Sequence, residues 1–329
     1  MKRIVTISTL LLVATMLLVA CGTPEVAEPD EVTVQLKWVH QAQFAGFYAA
    51  DQNGYYAAEG LAVDFAEGGA AVDHVQAVLD GAAQFGVAGA DRMILERAAG
   101  KPLRAIACIY RRSPRVFVAA ADSGISEPED FVGQTILVTA SGIPTLQAVM
   151  ARVGVDPDEY STVEGPRDPA LFASGEVPVW SAYLNGSIYV LRQAGFELNI
   201  IYPDDYGVHF YADTIVATDD FIAADPGLVT RFLRATLRGW TYAVENPGAI
   251  GPMVLQYKAD ADAEDETEKM EASLPLIHTG EDQIGWMRDE VWEGMHQILL
   301  EQGILDQPVG LDEVYTMEFL QTVYGGNQR

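Results

Sequence analysis

Apolar and polar residues alternate in short runs along the chain, and segments with helical spacing follow them. Val32–Leu36 alternates and predicts a strand, and the residues that follow predict a helix that ends near Asn53 and Gly54. Leu61–Phe65 predicts a second strand. Strand and helix continue to alternate through residues 85–120, which is typical of an α/β lobe with a largely parallel sheet.

A second series of strands and helices begins near Ser123. Further strands are predicted at 134–139, from residue 178, and at 198–202, and the run at 214–218 is predicted to return to the first lobe. We therefore predict two lobes, with residues 32–120 and 217–329 in lobe I and residues 121–216 in lobe II. The C-terminal part is predicted to be helical, with an acidic and exposed segment at residues 259–272.

The first twenty residues form a targeting segment. Lys2 and Arg3 precede a mainly apolar run, and Leu18–Cys21 with the following glycine resembles the bacterial lipobox, in which the chain is cut before a cysteine that is then lipidated. The apolar run is shorter than the roughly 20 residues that span a bilayer, which argues against a transmembrane anchor. We predict a lipoprotein signal peptide at residues 1–20, lipidation of Cys21, and a flexible acidic tether at residues 21–31.

Composition excludes several classes of function. The net charge of -27 argues against binding to nucleic acid or attraction of the folded body to anionic lipid. Of the two cysteines, only Cys108 remains if Cys21 carries lipid, so no intramolecular disulfide or cysteine-based metal site is expected. Cys108 lies in an apolar run and is predicted to be a buried structural thiol.

Motifs for catalysis are missing from the sequence. It contains no nucleophile elbow, no phosphate-binding loop of the Gly-Lys-Ser/Thr type and no dinucleotide fingerprint after the first strand. None of the five histidines has a histidine partner at the spacing of metal ligands on a helix. We therefore expect neither catalytic residues nor a metal site.

Aromatic residues concentrate at the predicted strand ends of both lobes. In open α/β sheets, ligands bind beyond the carboxyl ends of the strands, so two lobes would place aromatic rings on both sides of a flat ligand. Phe47, Trp180 and Tyr189 are instead predicted to pack locally. The aromatic residues near strand ends include Trp38, Phe44, Tyr48, Tyr110, Tyr183, Tyr206, Phe210 and Tyr211.

Several blocks of sequence, in order, resemble one protein family. Leu36–Val39, Phe44–Ala50, Gly54–Leu61, Gly86–Asp91 and Arg112–Pro114 are similar to the periplasmic substrate-binding proteins related to thiamine pyrimidine synthase. The resemblance implies an α/β, two-lobed periplasmic-binding-protein fold of type II, with the ligand in the cleft between the lobes. It also implies a monomer that works with the permease of an ABC transporter at the extracytoplasmic face of the cell membrane, held there only by its lipid anchor.

The ligand divides this family into branches. The chain resembles most the branch that binds riboflavin for vitamin uptake, and a thiamine pyrimidine precursor of the hydroxymethylpyrimidine or formylaminopyrimidine type is the alternative. The synthase branch carries a cysteine-rich motif that this sequence lacks, so a pyrimidine synthase is disfavoured. Riboflavin is thus expected as the transported ligand and not as a cofactor.

The resemblance, together with the placement of polar groups, suggests ligand-binding residues. The predicted aromatic walls are Trp38, Phe44, Tyr110, Tyr183 and Tyr206, and the predicted hydrogen-bonding residues are Gln41, Gln43, Asp91 and Asn185.

Three arginines near the same cleft offer an alternative. Arg111, Arg112 and Arg115 could hold the phosphate of a pyrimidine phosphate, although a solvated turn or pairing with the acidic surface is favoured for them.

Overall fold

The computed structural model describes residues 28–69, 71–165, 167–278, 280 and 282–325. The predicted signal peptide, the lipidation site at Cys21 and most of the predicted tether lie outside these residues. Among the described residues, no helix has both the length and the apolar character needed to cross a membrane.

The first sheet has five strands in the order β2-β1-β3-β10-β4. β1 and β3 run parallel, whereas β10 is antiparallel to both of its neighbours, β3 and β4. β10 is the strand that arrives from the second series, as the sequence predicted. The strands are β1 (Asp30–Gln35), β2 (Leu61–Ala66), β3 (Phe85–Gly89), β4 (Leu103–Cys108) and β10 (Asp213–Thr218).

Helices pack against the strands of this sheet. The long helix α9 (Pro226–Glu245) packs against α1 (Ala45–Gln52) with a close backbone approach, since a Cβ atom placed on Gly239 would lie 2.1 Å from the carbonyl oxygen of Gly46. The helices before β4 are α1 (Ala45–Gln52), α2 (Tyr55–Ala58), α3 (His74–Leu79) and α4 (Ala90–Ala98), with a 3-10 turn at Ala42–Phe44.

The second sheet also has five strands, in the order β7-β6-β8-β5-β9. β6 is parallel to β7 and β8, and β5 is antiparallel to β8 and β9. The short and exposed β7 was not predicted because it has no apolar pattern. The strands are β5 (Arg115–Ala120), β6 (Thr135–Leu137), β7 (Ser161–Val163), β8 (Val179–Tyr183) and β9 (Leu198–Ile201).

Helices and turns of the second sheet follow its strands. Phe47, Trp180, Tyr189 and Cys108 are buried, as predicted. The helices are α5 (Ile143–Arg152), α6 (Pro169–Ala173) and α7 (Ile188–Gln193), with 3-10 turns at Pro128–Phe131, Ala140–Gly142 and Pro203–Tyr206.

The sheets correct the predicted lobe boundaries. β5 was assigned to lobe I because it directly follows β4 in sequence, but its hydrogen bonds go to β8 and β9 in the second sheet. β10 begins in the first sheet at Asp213, before the predicted boundary at residue 217. The chain therefore crosses between the sheets at residues 109–114 and 202–212. We use first lobe and second lobe for the two sheets with their helices.

The C-terminal residues return to the first lobe as helices. The acidic segment predicted to be exposed is largely a helix, α11, in which Glu266, Met270 and Ser273 are buried. The prediction of exposure was therefore wrong for one face of this segment. The helices are α8 (Asp219–Ala224), α9 (Pro226–Glu245), α10 (Ile250–Val254), α11 (Ala263–Ile277), α12 (Asp289–Glu301), α13 (Leu311–Val314) and α14 (Glu318–Val323), with a 3-10 turn at Pro247–Ala249.

Candidate functional site

The carboxyl edges of the two sheets bring polar residues from both lobes together. In the first lobe, Lys37 follows β1, Tyr110 follows β4, and Asp213 opens the antiparallel strand β10 at the same edge. In the second lobe, Arg115 opens the antiparallel strand β5 and is the register partner of Tyr183, which ends β8. An antiparallel strand that begins where its neighbours end adds its first residue to the same edge.

Lys37, whose side chain is 14% exposed, forms an ion pair with the buried Asp213 on the first lobe. Burial alone would lower the pKa of Lys37, but the Asp213 carboxylate, the nearby Tyr183 and Asp91, and the hydrogen bond to Asp213 raise it overall. The ammonium group therefore stays charged at neutral pH, and the cleft carries a fixed pair of opposite charges.

Two glutamines extend from this ion pair. Gln43 Nε2 donates a hydrogen bond of 2.6 Å to Asp213 Oδ2, and Gln41 Nε2 donates one of 2.6 Å to Gln43 Oε1. Gln43 is buried, so its amide needs these partners to offset the loss of hydration. The predicted pair Gln41 and Gln43 is thus part of one polar chain that ends on a carboxylate.

Asn185 connects the second lobe to this chain through a three-residue cluster, which we call the interlobe hub: Tyr110, Asn185 and Ser273. Asn185 Nδ2 donates to the Tyr110 hydroxyl at 3.1 Å and to Ser273 Oγ at 3.0 Å. The Tyr110 hydroxyl donates to Ser273 Oγ at 3.1 Å, and Ser273 donates to the Lys269 carbonyl at 2.7 Å. All three side chains are buried, and burial raises the pKa of Tyr110, so its hydroxyl remains protonated.

Tyr183 lies between cations of the two lobes. The Nζ atom of Lys37 is 5.6 Å from its ring centroid, and the guanidinium carbon of Arg115 is 5.1 Å from it. Arg115 Nη2 also donates to the Tyr183 hydroxyl at 3.4 Å. The lobes are therefore joined at the cleft in two places, by the interlobe hub and by the contact between Lys37 and the Tyr183 ring.

Helix α11 provides a wall that the sequence did not reveal. Its Glu266 accepts a hydrogen bond from the backbone N–H of Ala42 and forms an ion pair with Lys269 at 2.6 Å. Because Ala42 opens the turn that carries Gln43, Glu266 holds that turn in place. Ser273, two turns further along the same face of α11, then reaches the hub.

The nine predicted ligand residues do not all belong to this cluster. Gln41, Gln43 and Tyr183 are linked through Asp213 and Lys37, and the Tyr110 hydroxyl, which contacts Asn185, lies 3.5 Å from the Gln43 carbonyl oxygen. The remaining four are Trp38, Phe44, Asp91 and Tyr206.

Those four residues lie in different surroundings. Trp38 is 44% exposed, Phe44 is fully buried in the core of the first lobe, and Asp91 lies in the first turn of α4 close enough to affect the pKa of Lys37. Tyr206 packs in the 3-10 turn before β10, where burial and then Glu129 and Glu127 raise its pKa. The structure places Phe44 in the core, so its ring is not exposed at the cleft.

The three arginines that the sequence grouped together separate in the structure. Arg112 is exposed and lies 3.9 Å from a carboxylate oxygen of Asp204, as expected for pairing with the acidic surface, whereas Arg111 is buried and pairs with Asp282. Arg115 instead turns into the second lobe and is only 7% exposed, so a solvated turn is wrong for this residue.

Sequence reasoning missed Lys37, Asp213, Ser273 and Glu266 as members of the cluster. Lys37 lies between the predicted strand Val32–Leu36 and the predicted wall residue Trp38, and its place directly after a strand was a usable signal. Asp213 follows the second crossover, and Glu266 and Ser273 lie on an acidic helix. No local pattern distinguishes these three residues from exposed polar residues.

His40 is held by side chains that pack beside the cluster. Its Nδ1 lies 2.9 Å from the Tyr48 hydroxyl, and its ring stacks on Tyr257 with centroids 5.8 Å apart. Burial lowers the pKa of His40, so the neutral imidazole predominates at pH 7. In the part of the chain that the structure describes, no three side chains of His, Cys, Asp or Glu are arranged to hold a metal ion.

Two surface cavities lie away from this cluster. One of about 370 Å³ is lined by residues that include Tyr55 and Arg238, and one of about 170 Å³ is lined by residues that include Arg112 and His209. Neither is lined by a predicted ligand residue.

Comparison with known proteins assigns the chain to a family. The model of the family described as NMT1/THI5 like matches residues 41–250. The chain belongs to this family. The match contains Gln41, Gln43, Tyr110, Tyr183, Asn185 and Asp213, whereas helix α11 lies beyond it.

Three relatives align with most of the chain. It is 26% identical to the riboflavin-binding protein RibY of Chloroflexus aurantiacus, with 97% of each protein covered. It is 27% identical to a formylaminopyrimidine-binding protein of Halalkalibacterium halodurans, with 93% and 96% covered. A 4-amino-5-hydroxymethyl-2-methylpyrimidine phosphate synthase of Legionella pneumophila is 22% identical, with 88% and 92% covered.

Solved structures share the fold at low sequence identity. The periplasmic aliphatic sulphonate binding protein SsuA of Escherichia coli superposes with a TM-score of 0.70 at 14% identity, over 87% of this chain and 91% of SsuA. The predicted two-lobed periplasmic-binding-protein fold is thereby confirmed.

Proposed function

We propose that this chain is the substrate-binding protein of an ABC importer and that it captures riboflavin between its lobes. The observation that carries the proposal is the cluster at the two carboxyl edges, where Tyr110 contacts Asn185 and Lys37 contacts Tyr183 across the lobes, with Gln43 bound to Asp213 beside them. Ligands of open α/β sheets bind at such edges. A ligand that enters here contacts both lobes.

The contacts between the lobes are of a kind that a ligand can replace. The hub joins neutral side chains, and a neutral hydrogen bond contributes only about 1 kcal/mol net to stability. Two hydrogen bonds from Asn185 therefore hold the cleft closed weakly. When the lobes separate, the same amide and hydroxyl groups become available to the edge of a polar ring.

The chemistry of the cluster suits a flavin. The isoalloxazine ring has donors and acceptors along its pyrimidine edge, which the amides of Gln41, Gln43 and Asn185 can match. Tyr183 and the exposed Trp38 offer aromatic faces for the ring. The riboflavin-binding name of a relative that aligns over nearly the whole chain supports the same ligand.

A formylaminopyrimidine is the second candidate, because a relative of similar identity carries that name. This ligand presents an aminopyrimidine edge where the flavin presents a dione edge, and its smaller ring needs fewer aromatic contacts. The relative affinity of the two ligands, measured by competition, therefore distinguishes these proposals.

A binding role, and not an enzymatic one, is consistent with the names of the two relatives aligned over most of the chain. We propose further that Cys21 carries a lipid that holds the protein at the extracytoplasmic face of the cell membrane, where it delivers the ligand to a permease. Mass spectrometry of the protein purified from membranes tests the lipid directly.

Titration of the purified full chain with riboflavin tests the ligand. We expect stoichiometric quenching of flavin fluorescence, and we expect Asn185→Ala to weaken binding by about tenfold, since a hydrogen bond contributes about 1 kcal/mol and the partner groups lose theirs as well. Tyr202→Ala, at an exposed aromatic residue, is the control and should bind as the wild type does. Absence of quenching together with tight binding of formylaminopyrimidine would overturn the riboflavin assignment in favour of the second candidate.

A further inference from the structure

Two arginines of the second lobe carry charge that no carboxylate compensates. Arg115 is buried, and Arg167 is partly buried with its Nε atom fully shielded from solvent. Among the residues that the structure describes, neither has an acidic partner, and Arg167 Nε has no hydrogen-bond partner. This is unusual in a chain of net charge -27, where carboxylates are plentiful.

The two guanidinium groups converge on one residue. Arg115 Nη1 donates to Ser181 Oγ at 3.1 Å, and Arg167 Nη2 donates to the Ser181 carbonyl at 2.9 Å. Burial lowers the pKa of Arg167, and the positive charge of Arg115 lowers it further. Two like charges held together away from water are costly unless an anion offsets them.

Hydroxyl groups complete the surroundings of Arg115. Its Nη2 atom lies 3.3 Å from Ser141 Oγ and 3.4 Å from the Tyr183 hydroxyl. These contacts are long and neutral, so they satisfy the donors without compensating the charge. They also place the arginine pair beside Tyr183, whose ring faces Lys37 of the first lobe across the cleft.

The backbone is shaped to admit Arg115. A Cβ atom placed on Gly142 would lie 2.6 Å from Arg115 Nη1 and 2.7 Å from a methyl group of Val138. A side chain at this position would have to displace the guanidinium group or the Val138 methyl group. Gly142 therefore lies in close contact with Arg115.

We propose that Arg115 and Arg167, with the hydroxyls of Ser141 and Tyr183, form an oxyanion subsite that takes a phosphate monoester of the captured heterocycle. The inference rests on the proposed function, since it places the heterocycle in the same cleft. A phosphate monoester carries a charge of about -1.5 to -2 at pH 7, which matches two guanidinium groups, and its three oxygens can accept from both of them and from hydroxyls. A carboxylate has one charge and two oxygens and would leave one arginine uncompensated.

Comparison of riboflavin with flavin mononucleotide tests the subsite, because the two differ only in the phosphate. In titrations of the full chain we expect flavin mononucleotide to bind about 10- to 100-fold tighter, as expected for hydrogen bonds to charged groups. Arg167→Met should reduce this ratio to near one, and Arg152→Met, at an exposed arginine of the same lobe, should preserve it. Equal binding of the two flavins by the wild type would overturn the proposal.

A second variant guards against misfolding. Arg115→Lys keeps the positive charge but loses the bidentate geometry, so it should lower the ratio only in part while the thermal midpoint stays near that of the wild type. An unchanged ratio in a folded Arg115→Lys protein, combined with an unchanged ratio in Arg167→Met, would contradict the subsite.

Titrations with a pyrimidine and its phosphate ester distinguish a failure of this inference from a failure of the riboflavin assignment. If neither flavin binds, the riboflavin assignment fails, and calorimetric titration with hydroxymethylpyrimidine and with its phosphate decides the subsite. Tighter binding of the phosphate ester, lost in Arg167→Met, supports the subsite with a pyrimidine ligand. Equal affinities for the two pyrimidines, with no thermal stabilisation by inorganic phosphate, would overturn it.

Discussion

Individual charged residues at the cleft depend on partners that are distant in sequence. Asp213 is buried and the side chain of Lys37 is only 14% exposed, so each would be a poorly compensated charge without the other. Removal of one member of a buried pair costs far more than replacement of both, because the remaining charge loses its compensation. Asp213 also accepts from Gln43, so it connects the ion pair to the candidate site.

Lys37→Met should destabilise the protein by about 3–5 kcal/mol in urea unfolding, because it leaves the Asp213 carboxylate buried without its cation. The double variant Lys37→Met with Asp213→Asn should lose less than the sum of the single changes, since the asparagine can still accept from Gln43. Additive losses in this double-mutant cycle would mean that the two charges act independently.

His74 gives the stability a defined dependence on pH. Its pKa is lowered by burial first and then by the nearby cations Lys37 and Arg92, while Asp73 and Asp213 act in the opposite direction. As pH falls, the unfolded chain therefore takes up a proton at its pKa of about 6.5, before the folded chain does so at its lower pKa. The contribution of His74 to stability is present above that pH and is lost as pH falls through its folded pKa.

We expect the wild type to lose more of its thermal midpoint than His74→Gln between about pH 7.5 and pH 5. Other titrating groups affect both proteins equally, so the difference between the two isolates the histidine. Parallel pH profiles for the two proteins would contradict this assignment.

Helices α1 and α9 show how small residues set the distance between elements. The α9 residue Gly239 faces the Gly46 carbonyl and Ala50, and the indole of Trp240 covers Gly46 itself. The turn that carries Gln43 leads directly into α1, so the position of α1 is coupled to that of the candidate site. Close packing of this kind tolerates little added volume.

Gly239→Ala should therefore destabilise the protein by about 1–3 kcal/mol or more, although alanine is the better helix former. Gly294→Ala in helix α12 is the matched control, because a Cβ atom there meets nothing within 4 Å. We expect it to stabilise the protein by up to about 1 kcal/mol. Equal effects of the two substitutions on the urea midpoint would show that steric contact at Gly239 does not matter.

At the scale of the whole molecule, the residues at the carboxyl edges of the two sheets contact each other, and helix α11 of the C-terminal part contributes to these contacts. The hub brings together one residue from the first crossover, one from the second lobe and one from α11. The arrangement links the separation of the lobes to the exposure of the same polar groups that we propose bind the ligand.

The double variant Asn185→Ala with Ser273→Ala should shift the ligand-free protein toward open forms, since it removes the hydrogen bonds of the hub between the lobes. Small-angle X-ray scattering should report a larger radius of gyration than that of the wild type. Asn199→Ala removes a hydrogen bond within the second lobe alone and serves as the control. An unchanged radius for the double variant would assign closure to other contacts.

Much of the architecture follows from the sequence because it depends on local patterns. Alternating and apolar runs specify the strands, and capping residues such as Asp73 mark helix starts, since these signals act within a few residues. The burial of Cys108 and Trp180 follows from their apolar surroundings in the same way. Gln41, Gln43, Tyr110, Tyr183 and Asn185 could be proposed as site residues because each follows or ends a strand.

Other features were decided only by the tertiary structure. The sheet to which β5 belongs depends on pairing with β8 and β9, which lie more than sixty residues away in sequence. Asp213 and Ser273 resemble any exposed polar residue until distant segments bury them. The reason is physical: burial, ion pairing and cross-lobe hydrogen bonds are properties of residues brought together by the fold, and a local sequence pattern carries no record of a distant partner.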